Sequence, residues 1–201
     1  LAYKHEKLIH NYFPAPKEPF VLNLSSIDRL TREKSIQHCI HSVKLTAQAN
    51  APFYCAHAGY KVEPKVEELG SQFDSIKSEI TQSRFELFVD SIHQIIKVSS
   101  RLNVDFFIEN NVLAKFNYKE SHIPFYCCES DSIIQLFERV KHPNFGLLLD
   151  TAHLKVSCNT LGLDLDRELH KISPFIKAIH HSDNDGKRDT NEKITSNYWF
   201  L

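Results

Sequence analysis

The chain alternates short apolar runs with longer segments in which apolar residues recur every three to four positions. Short apolar runs are typical of buried parallel strands, whereas a three-to-four spacing is typical of helices that bury one face. The pattern predicts five strands, at residues 7–11, 53–57, 104–109, 145–150 and 176–181. Strands that alternate with helices in this way predict an α/β fold with a parallel sheet.

Helices are predicted between most of these strands. Ser25 or Ser26 is expected to cap a helix that reaches about Ala49, and 84–100 gives the clearest amphipathic pattern. Ser130 or Asp131 is expected to cap a third helix, which reaches about residue 140. Asp164 is expected to cap a fourth, shorter helix that Pro174 terminates. The polar stretch 60–81 is long enough to form a functional loop.

Each predicted strand ends in a residue that can bind a metal or transfer a proton. These residues are His10, His57, Glu109, Asp150 and either His180 or His181. Alternation along 176–181 places His180, rather than His181, on the same face as Ile176 and Ala178. The carboxyl ends of the strands converge at the mouth of a barrel but spread along a line in an open sheet. The pattern therefore favours a barrel, and the absence of a Gly-rich loop after the first strand argues against a dinucleotide fold.

The two carboxylates at strand ends carry most of the candidate chemistry. Asp150 follows an apolar strand and begins an Asp-Thr-Ala-His turn that ends at His153. Burying an unpaired carboxylate there is costly, so a metal or a hydrogen-bond donor is expected beside it; the alternative is that Asp150 only caps the next turn. Glu109 likewise follows an apolar strand, so it is also a candidate ligand. The alternative is that it is an ordinary polar residue where the strand passes into a loop.

Polar neighbours of these carboxylates are candidates for support or substrate binding. Asn110 and Asn111 could orient Glu109 or bind substrate hydroxyls, and Asp183 could hold the His180 ring. Imidazoles mixed with carboxylates suit Zn²⁺, Mn²⁺ or Co²⁺ better than an all-oxygen Ca²⁺ or Mg²⁺ site.

Composition and charge add limits on the size, partners and location of the protein. The 201 residues are 42% hydrophobic, which suits a single domain spanning 1–201. The formal net charge of −1 makes nucleic acid an unlikely partner. No apolar run is long enough to span a membrane and no signal peptide opens the chain, so we expect a cytoplasmic protein with reduced cysteines.

Five ordered motifs resemble one known family. They lie at residues 10–14, 56–59, 108–110, 149–153 and 180–186. They resemble the xylose-isomerase-like barrel superfamily, which includes sugar (phosphate) isomerases and epimerases and zinc-dependent apurinic endonucleases. The resemblance implies a (β/α)8 TIM barrel, whose first and last strands we expect to fall outside this chain.

The resemblance also implies roles for individual residues. Glu109, Asp150 and His180 resemble the ligands of the central metal. His10 and His57 occupy positions that hold an additional zinc in the endonucleases, and His153 and Asp189 occupy positions for a third. Asn191 stands where that third site has a histidine, which argues against a complete three-zinc centre.

Three functions follow, in order of preference. The first is a metal-dependent isomerase or epimerase of a small sugar or sugar phosphate, with Glu109 transferring the proton and His153 and His57 holding substrate oxygens. The second is a zinc-dependent endonuclease-like phosphodiesterase acting on abasic DNA. The third is a non-catalytic barrel homologue. A homo-oligomer is compatible with each.

Overall fold

The computed structural model of the chain describes residues 7–73, 82–119 and 122–200. Its five strands are β1 Ile9–His10, β2 Phe53–His57, β3 Asp105–Glu109, β4 Phe145–Asp150 and β5 Ile176–His180. They form one parallel sheet in the order β1–β2–β3–β4–β5. Sequential parallel neighbours joined by helical crossovers give the strand order of a (β/α) barrel wall, so the α/β prediction is confirmed.

Five α-helices accompany the sheet within the described residues. They are α1 Arg29–Gln48, α2 Gln82–Ser99, α3 Ser130–Val140, α4 Thr151–Leu161 and α5 Leu165–Ile172. No described helix has the length and apolar character needed to cross a membrane.

Two predicted helix caps are wrong. Asp28 caps α1 by accepting a hydrogen bond from the Thr31 backbone N–H, whereas Ser25 and Ser26 bond to the loop that follows β2. Glu129 caps α3, where it accepts hydrogen bonds from the backbone N–H groups of residues 131 and 132. In both cases an acidic side chain reaches the free N–H groups from a position that the apolar pattern does not mark. The predicted Asp164 cap of α5 is confirmed.

The segment after β4 also differs from the prediction. In place of a turn from Asp150 to His153, Thr151 begins the helix α4, and Asp150 is its N-cap. The predicted loop 60–81 after β2 is described up to residue 73, and this part contains a short 3-10 turn at Val66–Glu68. Its remaining part, 74–81, lies outside the described residues.

The two faces of the sheet have different surroundings. One face packs against the helices in the main hydrophobic core, which includes Tyr54, Phe106 and Leu147. The opposite face carries a small apolar layer of Cys55, Phe107 and Leu148. Because side chains alternate along a strand, the residues two positions further on emerge on this same face at the carboxyl end of the sheet.

One glycine is needed to build that layer. A Cβ at Gly146 would lie 2.7 Å from two ring atoms of Phe107 on the neighbouring strand. Contacts that short are repulsive, so the missing side chain makes room for the Phe107 ring beneath the site. The five cysteines are all buried and free.

Candidate metal centre

The residues at the carboxyl ends of the five strands converge on Glu109. Its Oε2 lies 2.5 Å from His10 Nε2 and 3.5 Å from His57 Nδ1, and its Oε1 lies 3.2 Å from His180 Nδ1. The Glu109 side chain is only 1% exposed. Three imidazoles, from β1, β2 and β5, therefore surround one buried carboxylate on β3.

Asp150 has one oxygen engaged by the backbone and one directed at the site. Its Oδ1 accepts a hydrogen bond from the His153 backbone N–H, which is the capping role considered as the alternative. Its Oδ2 is buried and makes no hydrogen bond within the described chain, although His180 Nδ1 lies 2.8 Å away. That approach is a close ionic contact rather than a well-directed hydrogen bond. The carboxylate thus caps α4 and also offers a free oxygen beside Glu109.

His180 is the inward histidine of β5. Its contacts with Glu109 and Asp150 confirm the orientation predicted from strand alternation. His181 instead points to Tyr198, with Nδ1 3.1 Å from the phenol oxygen.

Two asparagines brace this arrangement. Asn110 accepts a hydrogen bond from the Asp150 backbone N–H through Oδ1 and donates to the Asp150 carbonyl through Nδ2. The amide of Asn111 donates to the carbonyls of Ala58, Gly59 and Tyr126. Both side chains are buried and committed to backbone groups, so they position the strand ends.

His153 forms a second branch of the site. Its Nδ1 bonds to the Asn110 carbonyl at 2.7 Å, and its Nε2 lies 3.2 Å from Asp189. His153 also packs near His57, with ring centroids 5.7 Å apart. Asn191 is exposed and has a left-handed backbone with φ of 50°. The structure therefore brings His153 and Asp189 together and leaves Asn191 at the surface.

Asp183 does not hold the His180 ring, contrary to the prediction. Its carboxylate forms an ion pair with Lys155 of α4 at 2.7 Å, and Lys155 also donates to the Asn184 carbonyl. Lys155 lies two residues beyond His153, on a helix that the apolar pattern does not indicate, so this partner could not be anticipated.

The charges of the site are strongly coupled. Burial alone would raise the pKa of Glu109, but the imidazole of His57 and the hydrogen bonds from His10 and His180 hold it well below its usual range. Contacts with Asp150 and then Glu109 raise the pKa of His180 to about 10. Without a metal, protonated His180 therefore supplies positive charge to the two buried carboxylates.

The pKa values of His57 and His153 shift in opposite directions. Burial lowers the pKa of His57 to about 4. Burial would also lower the pKa of His153, but the hydrogen bond with Asp189 and the charges of Asp150 and Glu109 raise it to about 9. At neutral pH, His57 is neutral and suited to binding a metal, whereas His153 carries a proton.

The donor atoms fit a divalent transition metal. Three sets bring their ligand atoms within 4.8 Å of one another: Glu109 with Asp150 and His180, Glu109 with His57 and His153, and Glu109 with His10 and Cys55. The buried Oδ2 of Asp150 supports the first set in particular, because it makes no hydrogen bond within the described residues and a metal ion could replace the His180 proton as its positive partner. Neutral imidazoles and carboxylates are ligands for Zn²⁺, Mn²⁺ or Co²⁺.

Cys55 was not anticipated at this site. It pairs in register with His10 on β1, so both side chains lie on one face of the sheet. The signal was available, because Cys55 lies two residues before His57 and strand alternation puts both on that face.

A cavity of about 460 Å³ opens beside the metal-ligand cluster. His57, His153 and Asp189 are among its polar lining residues. Its other lining residues include aromatic rings and amides: Tyr12, Tyr60, Phe73, Phe116, Phe125, Asn11, Asn111 and Asn117. A concave, largely apolar cavity with a few convergent polar groups is typical of a small-molecule site.

Comparison with known proteins decides the family. The sequence pattern of the family described as xylose isomerase-like TIM barrel matches residues 5–199. The chain belongs to this xylose isomerase-like family. Membership agrees with the fold and with the resemblance noted from the motifs.

Individual relatives span two kinds of protein. The chain is 25% identical over 186 residues to a protein named "Probable endonuclease 4" from Persephonella marina, a match covering 87% of this chain and 57% of that protein. A D-tagatose 3-epimerase-like protein superposes with a TM-score of 0.72 at 16% identity, covering 98% of this chain and 64% of the other. The TTHB071 protein of Thermus thermophilus, soaked with ZnCl2, superposes with a TM-score of 0.59 at 16% identity, covering 94% of this chain and 62% of the other.

The chain thus spans about three fifths of the length of these relatives. Structural likeness at such identities establishes the shared fold, and the activity has to be argued from the site.

Proposed function

We propose that this protein is a metal-dependent isomerase or epimerase of a small sugar or sugar phosphate. The observation that carries the proposal is the convergence of Glu109, Asp150 and His180, in which the buried Asp150 Oδ2 lacks a hydrogen bond. The adjoining cavity has the size of a small-molecule site, and the epimerase-like neighbour shares the fold.

Glu109, Asp150 and His180 would hold the metal. A divalent cation bound there would polarise a substrate carbonyl and its neighbouring hydroxyl. Glu109 stays ionised among its imidazoles, so its carboxylate is available to accept the proton on the adjacent carbon and return it. His57 and His153 line the cavity and would hold substrate oxygens there.

The substitution Glu109→Gln tests this role. It keeps the size of the side chain but removes the charge, so we expect turnover of a ketose such as D-tagatose to fall by about 10²–10⁴-fold, the usual contribution of a general base. Elemental analysis should still find metal in the variant, because Asp150 and His180 remain. Glu138→Gln, at an exposed position of α3, is the matched control. Unchanged turnover in Glu109→Gln would reject the proposal.

The second candidate function is a zinc-dependent phosphodiesterase of the endonuclease kind. It is favoured by the second donor set of Glu109, His57 and His153, and by the similarity to the Persephonella protein. The exposed Asn191 and the net charge of −1 weigh against it. Two or three zinc ions per purified chain, together with cleavage of DNA containing an abasic site, would establish it in place of the isomerase; one metal ion per chain favours the isomerase.

A further inference from the structure

The cavity beside the metal-ligand cluster is lined by one arginine. Among the described residues, Arg188 is the only lysine or arginine that lines it, and Arg188 directly follows Lys187 on the loop after β5. A second cavity, of about 740 Å³, shares Arg188 and Phe116 with the first and adds Lys115 and Lys187. The three cationic side chains therefore all line the second cavity, and Arg188 lies at its junction with the first.

The charges of these side chains are only partly offset by their surroundings, because Asp185 interacts electrostatically with Lys187 and Arg188 without forming an ion pair. Within the described parts of the chain, Lys115, Lys187 and Arg188 form no ion pair. Asp185 is the one described carboxylate that lines the second cavity, and its Oδ1 accepts hydrogen bonds from the backbone N–H groups of Lys187 and Arg188. The chain as a whole has a net charge of −1, so this local excess of positive charge is not a reflection of a basic protein.

The loop that carries Arg188 is fixed against α4. Asn159 donates to the Gly186 carbonyl at 3.1 Å, and Asn184 donates to the Ala152 carbonyl at 3.0 Å. Gly186 has a φ of +76°, and a Cβ there would lie 2.1 Å from the Asn159 amide nitrogen, so only glycine fits this contact. The backbone position of Arg188 is therefore set by the same helix whose N-cap is Asp150.

Arg188 is also held close to the reactive end of the cavity. It immediately precedes Asp189, which lies 3.2 Å from His153, and consecutive Cα atoms are about 3.8 Å apart. A small ligand that fills this cavity could thus contact both the metal-ligand cluster and Arg188, since residues of both line it.

We propose that the substrate is a phosphorylated sugar, whose phosphate is held by Arg188 with help from Lys187 and Lys115. This inference rests on the proposed isomerase or epimerase function and narrows its substrate class. A guanidinium offers a planar fork of donors that matches phosphate oxygens. A duplex nucleic acid fits less well, because the cations line one cavity and do not form a stripe along a backbone.

Calorimetric titration of the metal-loaded protein with three probes tests the inference. The probes are inorganic phosphate, D-tagatose and D-tagatose 6-phosphate. We expect the phosphate ester to bind at least about tenfold more tightly than the neutral sugar, as a charge-assisted contact to phosphate would give. The advantage should fall as the salt concentration rises, because the cations are exposed.

Substitutions assign that advantage to residues. Arg188→Gln should remove most of the preference for the ester and abolish binding of inorganic phosphate, while affinity for the neutral sugar stays within about twofold. Lys187→Gln should reduce the preference partly. Arg101→Gln, in the exposed turn Ser100–Leu102 before β3, is the matched control and should leave all three affinities unchanged.

The outcomes separate the two proposals. If neutral sugar binds but the ester binds no more tightly, or if Arg188→Gln changes nothing, the phosphate inference is overturned and the proposed function stands. If neither sugar binds, both are overturned. Tighter, salt-sensitive binding of an abasic DNA duplex than of the ester would overturn the inference in favour of the phosphodiesterase.

Discussion

Asn110 contributes to the site without facing a ligand. Its amide bonds to both the N–H and the C=O of Asp150 across the gap between β3 and β4, and all of these groups are buried. A side chain that satisfies two backbone groups fixes the position from which the Asp150 carboxylate projects. Substitution of residues that orient ligands in this way typically weakens metal binding.

We therefore expect Asn110→Ala to lower both stability and metal affinity. Two buried backbone groups would lose their partner, so the free energy of unfolding should fall by about 1–3 kcal/mol. Affinity for Zn²⁺ or Co²⁺ should fall by about 10–100-fold. Denaturant unfolding and competitive metal titration measure the two effects.

Asn197→Ala, at an exposed position near the end of the described chain, serves as the control for Asn110→Ala. An Asn110→Ala protein that unfolds earlier but binds metal as tightly as the unsubstituted protein would show that Asn110 has only a structural role.

Individual residues of the site were predictable to the extent that strand alternation governs them. Alternation alone selects His180 over His181, and the cost of burying a carboxylate marks Asp150 and Glu109. Asp183 was misassigned because its partner, Lys155, belongs to a helix that was not expected. Ion pairs between segments depend on tertiary placement, which the local pattern does not contain.

At the level of elements, α4 organises one side of the site. Its N-cap is Asp150, its first turn carries His153, and its next turn carries Lys155, which holds the loop after β5 through Asp183 and the Asn184 carbonyl. The sequence did not reveal this helix, because α4 begins directly where β4 ends. No polar linker then separates the apolar run of the strand from the apolar spacing of the helix.

Lys155→Met should loosen the loop that carries Asp189. It leaves the half-buried Asp183 carboxylate without its cation, so we expect the free energy of unfolding to fall by about 0.5–1.5 kcal/mol. A looser Asp189 would bond less to His153, so the pKa of His153 should move down from about 9. Thermal unfolding and an NMR titration of His153 measure these changes in the metal-free protein.

Lys97→Met, in the last turn of α2, is the matched control for Lys155→Met. If the pKa of His153 in Lys155→Met equals that in the control, the remaining contacts of the loop with α4 suffice to hold Asp189 in place.

At the scale of the whole molecule, the sheet determines where the chemistry can occur. Strand ends separated by up to 170 residues in the sequence, from His10 to His180, meet around Glu109 because the five strands are parallel and adjacent in order. That convergence was predictable once a barrel was favoured over an open sheet. The two cavities and their cationic lining were not, since they are built from loops whose paths depend on contacts with distant elements.

The convergence of charge also predicts how stability depends on pH. In the metal-free protein the folded state raises the pKa of His180 from 6.5 to about 10 and that of His153 from 6.5 to about 9. Their stabilising contribution is complete below about pH 6.5 and is lost as the pH rises through 9 to 10, because only the folded state keeps these protons. His57 acts in the opposite sense: its pKa falls to about 4, so the unfolded chain gains a proton below pH 6.5 that the folded chain does not.

The metal-free protein should accordingly be most stable near pH 6.5, and its free energy of unfolding should decline toward pH 10. A bound divalent cation would displace the protons on His180, so metal binding should release protons and should stabilise the protein more as the pH rises. Urea unfolding from about pH 5 to 10, with and without Zn²⁺, measures both slopes. Equal slopes with and without Zn²⁺ would mean that the metal does not bind at the Glu109–Asp150–His180 cluster, because binding there displaces the His180 proton and so changes the dependence on pH.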